Sequence, residues 1–274
     1  TFSGLFNNQN YAGCWLNIIW PLSIAVFYDQ TRNIFQRATS LILLISIFLA
    51  SFLTFSRNAW GGLLISIPLV IGPIAFYWMA LFLIILILII FLKSFNILPE
   101  NISNLLSSIY PARFNIFEMF IEQFSSSSYP NPATSRNTIF FIALKFIMSK
   151  PFIGWGAASF PIYYGFKTSI YISHAHNLFI DNAFNYGLLV TFLIFSNIFL
   201  ICLSSFKKIF LKTSQDLKNN YFERAWWTSF FVLLCSQMFD VQYYDLRISI
   251  AFWLMMAGLK CVIFENSGNI SHTK

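Results

Sequence analysis

The sequence predicts an all-α protein, a polytopic transmembrane helix bundle of about seven spans with one large extracytoplasmic loop containing short helices. Three observations lead there. The chain of 274 residues is 57% hydrophobic and only 10% charged, with 34 phenylalanines, whereas soluble domains carry roughly 25% charged residues. Its apolar residues fall in long runs, more of them than a soluble core needs. Its net charge of +7 sits mostly in short loops, a pattern that orients membrane proteins and does not suggest nucleic-acid binding.

The first apolar run covers 11–28, and Asp29, Arg32 and Arg37 follow in a short polar loop. The second covers 38–55 and ends at Ser56-Arg57-Asn58-Ala59-Trp60. Residues 60–92 are then apolar almost without pause. One helix of that length would reach about 50 Å, against a hydrocarbon core of about 30 Å. Gly72-Pro73 lies inside it, so two spans are expected, 59–73 and 76–92, joined by a tight turn. These spans make an N-terminal block, 1–92. Because the chain starts at Thr1, it is expected to be a piece lacking earlier spans.

Residues 93–175 form the large hydrophilic region. Within it, 115–122 suits a short amphipathic helix lying on the bilayer, and 125–132 is a turn-rich break. Ser135-Arg136-Asn137 opens an apolar helix to about Met148, which Ser149-Lys150-Pro151 stops. A glycine-paired turn, Phe152-Ile153-Gly154-Trp155-Gly156, leads to Phe160, Tyr163, Tyr164 and Tyr171, aromatics that favour the interface.

The C-terminal block, 176–274, holds a span over 177–206 with an irregularity expected at Tyr186-Gly187. A loop rich in Lys207, Lys208, Lys212, Lys218 and Arg224 follows. Spans at 225–239 and 248–264 flank the polar turn 240–247, and a polar cytoplasmic tail ends the chain. Cys14, Cys202, Cys235 and Cys261 lie in or beside apolar runs without CxxC or CxxH spacing, so neither a zinc site nor a disulfide framework is indicated.

Charge fixes the faces. The loops holding Lys207 to Arg224 and Arg32 with Arg37 should be cytoplasmic. That puts His176 and Arg57 together on the outside, provided that 60–92 is a hairpin. Arg57, Arg136 and His176 can then meet at one membrane face. Each has an ordinary explanation as a snorkelling, solvated or interfacial residue. Their joint placement instead suits a lipid-linked phosphate, because Arg makes bidentate bonds to phosphate oxygens and keeps its proton. His176 is the group that can give or take a proton near neutral pH. Asp181 lies one turn past Asn177 and could orient His176 or Arg57. Asp181, Asp240 and Asp245 look scattered, so no metal site and no cofactor is expected.

These residues also carry a resemblance. Ser56-Arg57 through Trp60 resembles the SRxxW element of the O-antigen ligase family. Arg136, its apolar helix, Lys150-Pro151 and Gly154-Trp155-Gly156 through Phe160 resemble the family's arginine-to-glycine loop. His176-Asn177 and the later Tyr186-Gly187 resemble its HN motif and downstream glycine, and Asn8 to Gly13 its Asn-rich approach to an earlier span.

The resemblance implies metal-independent, inverting transfer of a glycan from a polyisoprenyl-diphosphate donor to an acceptor hydroxyl. That acceptor would be lipid A core, another glycan or a protein. The enzyme would be multi-pass in the bacterial cytoplasmic (inner) membrane, among membrane lipids, with its site on the extracytoplasmic side. Arg57 and Arg136 would clamp the diphosphate, and His174 and Asn177 would add substrate contacts. His176 would be either base or a further diphosphate contact. A second class stays open: a transporter for a small anion such as bicarbonate, although the sequence shows no inverted repeat. A third reading is a structural membrane partner whose arginines are dispensable.

Overall fold

The computed structural model describes residues 3–29, 31–72, 75–81, 84–85, 88, 132–211 and 220–265. Among them the chain is helical: α1 (Gln9–Tyr28), α2 (Ile34–Thr54), α3 (Arg57–Ile71), α4 (Arg136–Ser149), α5 (Phe160–Thr168), α6 (Leu178–Phe210), α7 (Tyr221–Gln237) and α8 (Leu246–Glu265). Four helices, α1, α2, α6 and α8, are long and apolar enough to cross a membrane. The expected seven spans are thus shown only in part. Helices α3 and α7, of 15 and 17 residues, are shorter, and nearly half of the expected span 76–92 lies outside the described residues. So do the helix expected at 115–122 and nearly all of the turn-rich break.

Helix α1 is the central post, packed against α2, α3 and α7. It approaches α3 closely: a Cβ at Gly13 would lie 2.5 Å from that of Ala59. Small residues let backbones meet in this way in lipid, where hydrogen bonds also serve as glue. Trp20 Nε1 donates to the Leu63 carbonyl (3.2 Å) and Ser229 Oγ to that of Ile18 (2.8 Å). One apolar cluster gathers Trp20, Ile24, Ile47, Leu63 and Val70 from α1 to α3. A second joins Trp227, Phe230, Leu233, Phe252 and Leu259 to Cys14 and Ile18. A third joins α4, α5 and α6 through Ile139, Tyr164, Ala175 and Phe184.

The contacts sort the bundle into two ends. At one end, Ser56, before α3, reaches Asn10 on α1, and Asn58 reaches Ser236 at the end of α7. At the other, Arg224 at the start of α7 reaches the Leu69 carbonyl near the end of α3, and Tyr28 packs on Tyr221. Helix α3 therefore runs the length of the bundle. It stops at Gly72, whose φ of 117° ends the helix at the expected break. Arg57 and His176 share one end, as the charge argument requires, and Gly72 lies at the other.

The irregularity in α6 is real and specific. Gly187 has φ 82° and ψ 166° inside a helix of 33 residues, which frees backbone groups that the helix would otherwise pair. The 150–156 loop takes them up. Trp155 and Gly156 N–H donate to the Phe184 and Asn185 carbonyls (2.8 and 2.9 Å), and Leu188 N–H donates to that of Pro151 (2.6 Å). The approach is so tight that a Cβ on Gly187 would lie 2.2 Å from the Phe152 carbonyl oxygen. Non-helical backbone within a bundle survives where protein satisfies it.

Gly187→Ala is therefore expected to lower the melting temperature in lipid-like micelles markedly, since the left-handed φ alone costs about 1–3 kcal/mol. Gly61→Ala on α3, with nothing within 4 Å, is the control and should be neutral or mildly stabilising. Equal melting of the two variants would mean that the α6 break does not matter to stability.

Candidate functional site

The site end of the bundle is built from two short loops. The 172–177 loop enters α6, and the 238–245 turn links α7 to α8. His176 Nδ1 lies 3.0 Å from Asp240 Oδ1. Asp240 also accepts from Asn10 Nδ2 (3.1 Å), and Asn10 Oδ1 accepts from Ser56 Oγ (2.9 Å). A continuous chain of polar contacts thus runs from His176 through Asp240 and Asn10 to the N-cap of α3, directly before Arg57.

The turn carrying Asp240 is braced. Ser236 Oγ and Gln237 Nε2 donate to Gln242 Oε1 (2.8 and 3.2 Å), and Tyr243 N–H donates to Gln237 Oε1 (2.9 Å). Asn58 Nδ2 donates to Ser236 Oγ at 2.6 Å. The histidine loop is braced by Asp181, 1% exposed in the first turn of α6. Its Oδ1 accepts the Ala175 N–H (3.0 Å), and its Oδ2 accepts from Asn185 Nδ2 (3.0 Å) and from the Tyr244 hydroxyl. Asp181 therefore holds the amide between the two histidines. It also ties that loop to Tyr244 on the Asp240 turn. Burial, then the Asp181 charge, pushes the Tyr244 phenol well above its usual range.

Hydrogen bonds assign the histidine protons. The His176 N–H donates to His174 Nδ1 (3.2 Å), so a neutral His174 carries its hydrogen on Nε2, 3.9 Å from Asp240 Oδ1. His176 Nδ1–H donates to Asp240, which leaves the Nε2 lone pair on a side chain that is 29% exposed. Burial alone would raise the Asp240 carboxyl. The His176 hydrogen bond and charge, with His174 and Asn10, outweigh it and hold the group below the usual carboxylate range. Burial holds the His174 imidazole below its usual value, with the His176 charge adding to the effect and Asp240 and Asp181 opposing it.

This corrects the expectation that Asp240 is a scattered acid. The loop 240–247 is separated from His176 by two helices, so the parity that pairs Arg57 with His176 also pairs Asp240 with it. That signal lies in the sequence. The donor atoms of His174, His176 and Asp240 lie within 4.8 Å of one another, close enough to gather around one ion. Their hydrogen bonds suit protons better. A metal on His174 Nε2 would push that ring's hydrogen onto Nδ1, against the His176 N–H.

The other expected residues divide. Arg57 is exposed at the first position of α3, where the helix N-terminus adds positive potential. Arg136 begins α4 behind the Ser135 cap. Its helix, through Ile139, shares a cluster with Tyr164 and Ala175, but among the described residues no hydrogen bond or ion pair joins Arg136 to His176. Asn177 caps α6 by accepting the Ile180 N–H (3.1 Å), and its Nδ2 donates to the Met238 carbonyl (2.9 Å). Both ends of its amide are engaged in holding the two loops together.

A family model described as O-antigen ligase matches residues 41–195, just over half of the 274-residue chain. The match takes in Arg57, Arg136, His176 and Asp181, and leaves Asn10 and Asp240 outside. No curated protein and no solved structure matches the chain.

The lowered His174 value has a consequence for stability. The unfolded chain binds this proton more readily than the folded one, so the His174 contribution to stability is fullest above about pH 6.5 and is lost as the pH drops below it. The melting temperature is expected to fall between about pH 7.5 and pH 5.5, and His174→Gln, which still offers an acceptor to the His176 amide, should flatten that fall. A fall of unchanged size in His174→Gln would place the titrating group elsewhere.

Proposed function

The chain belongs to the O-antigen ligase family, and from that premise we propose that it transfers a glycan from a polyisoprenyl-diphosphate donor to an acceptor hydroxyl at the His176 end of the bundle. Glycan ligation or transfer in a multi-pass membrane protein is what the family and the apolar helices establish. The donor, the step and the residue roles are the proposal.

The observation behind it is the His176–Asp240 pair, 3.0 Å apart, with Nε2 of His176 left to act. In the reaction, the acceptor hydroxyl gives its proton to His176 Nε2 as its oxygen attacks the anomeric carbon. The bond between that carbon and the diphosphate oxygen breaks, and the electron pair leaves with the diphosphate. Attack opposite the leaving group inverts the anomeric configuration. Asp240 keeps His176 in the useful tautomer and stabilises the imidazolium as it forms, a role known for carboxylates behind catalytic histidines. The charge growing on the diphosphate falls to Arg57, the N-terminus of α3 and Arg136. His174, Asn177 and Asp181 are positioning residues, since their polar atoms engage the loops.

The same reading orients the protein. The far end carries Arg32, Arg37, Lys207, Lys208 and Lys260, so that end faces the cytoplasm and the site opens outside the cytoplasmic membrane. Lipid A core, another glycan or a protein hydroxyl fits such an acceptor position.

Transfer from a diphosphate-linked glycan by purified protein in liposomes tests the proposal. His176→Gln and Asp240→Asn are each expected to lose about a hundredfold or more in rate. Arg57→Lys keeps the charge but loses the planar fork, and should cost on the order of a hundredfold. Near-normal transfer by all three variants would sink the proposal and favour a site that merely attracts anions.

A further inference from the structure

The far end of the bundle also holds a buried cation that the transfer chemistry does not use. Arg224, in the first turn of α7, is 6% exposed. Its Nε donates to the Leu69 carbonyl (3.2 Å) near the end of α3, and its guanidinium carbon stands 5.3 Å from the Phe210 ring centroid. Among the described residues no carboxylate pairs with it, and neither terminal nitrogen makes a hydrogen bond. Those nitrogens lie beside Gly72, where any side chain would crowd them. Arg keeps its proton even when buried, and a buried charge without a counter-charge is costly. One bond to a carbonyl at a helix C-terminus offsets part of that cost and leaves both terminal nitrogens over.

Arg224 also lines an open cavity of about 400 Å³, walled otherwise by apolar side chains that include Ile65, Leu69, Phe206, Phe210 and Phe231. The combination is a greasy groove with one buried cation that no described carboxylate neutralises, at the basic end of a membrane bundle. We infer that this groove is a phospholipid site, in which Arg224 holds the phosphodiester of an anionic lipid and an acyl chain lies along the Phe206–Phe231 wall. The phosphodiester supplies the missing charge and two acceptors for the guanidinium fork. The chain accounts for an apolar lining that an inorganic anion would not need. An anionic headgroup is favoured because the same end carries Arg32, Arg37, Lys207, Lys208 and Lys260, a basic surface that draws anionic lipid. The inference concerns the end opposite His176 and stands apart from the transfer reaction.

Native mass spectrometry of the full chain, moved from phosphatidylglycerol vesicles into detergent, reads the bound lipid directly, and melting with added lipid reads its effect. One phosphatidylglycerol is expected to stay with the wild type and to raise its melting temperature more than phosphatidylethanolamine does. Arg224→Gln should weaken retention by about tenfold or more, the scale of a lost charge-assisted bond. Ile65→Trp fills the groove from a wall residue that is 43% exposed, so it should fold normally and lose the lipid with Arg224 intact. Retention unchanged in Ile65→Trp would overturn the groove even if Arg224→Gln failed to fold. Protection by inorganic phosphate equal to that by phosphatidylglycerol would also overturn the lipid reading, as an inorganic-anion site. Equal retention of both lipids would overturn the choice of an anionic headgroup.

Discussion

A carboxylate buried among helices must collect donors or lose its charge, and the architecture of the site end follows from how Asp181 meets that demand. Its three donors come from three places: the Ala175 amide in the histidine loop, Asn185 one turn further along α6, and Tyr244 on the turn after α7. Satisfying one charge therefore fixes the position of two loops. The histidine loop cannot move without uncovering Asp181, and the Asp240 turn is tied to the same point. His176 itself is held at φ 53°, a region sparsely used by residues with a side chain. The neighbouring amide bonds make that conformation affordable, and it turns the ring toward Asp240.

The local features of this fold were legible because they are written in local sequence. The Ser135 cap before α4, the stop at Gly72 and the break at Gly187 all rest on residues whose effect is felt within a few positions. Charge in short loops, a global but one-dimensional signal, placed Arg57 and His176 at one end. The site's central contact was not legible in the same way. His176 and Asp240 are 64 residues apart in sequence, and nothing in the stretch around Asp240 marks it as more than a polar turn. Only the count of helices between them carries the information. The loop–loop bond of Asn177 was hidden for a related reason. Its place beside His176 suggests a substrate contact, while its amide makes a helix cap, the ordinary use of Asn at such a position, and a bond whose partner, Met238, is distant in sequence.

The break in α6 and the 150–156 loop show how α4 is held against α6. A straight helix of 33 residues would reach about 50 Å, well beyond the hydrocarbon. The break at Gly187 separates the two polar turns carrying Asp181 and Asn185 from the apolar length below. It also exposes carbonyls that recruit the loop following α4. Helix α4 is thereby fastened to α6, and its residue Ile139 packs in one cluster with Tyr164 of α5 and Ala175 of the histidine loop. The resemblance read in the glycine-rich loop and the downstream glycine is thus one structural device seen from its two halves.

The two histidines sit with ring centroids 4.6 Å apart, yet their environments divide the labour. Asp240 can stabilise one imidazolium well. Two would compete for it and repel each other. Burial keeps His174 neutral near physiological pH, and its Nδ1 is given to the His176 amide. Asp240 is then left free to serve His176, whose ring alone combines a short bond to the carboxylate with an exposed edge. A pair that looks redundant in the sequence separates into one residue that holds the loop and one that, in the proposed reaction, moves a proton. The separation comes from burial and hydrogen-bond direction, neither of which the His-Ala-His spacing contains.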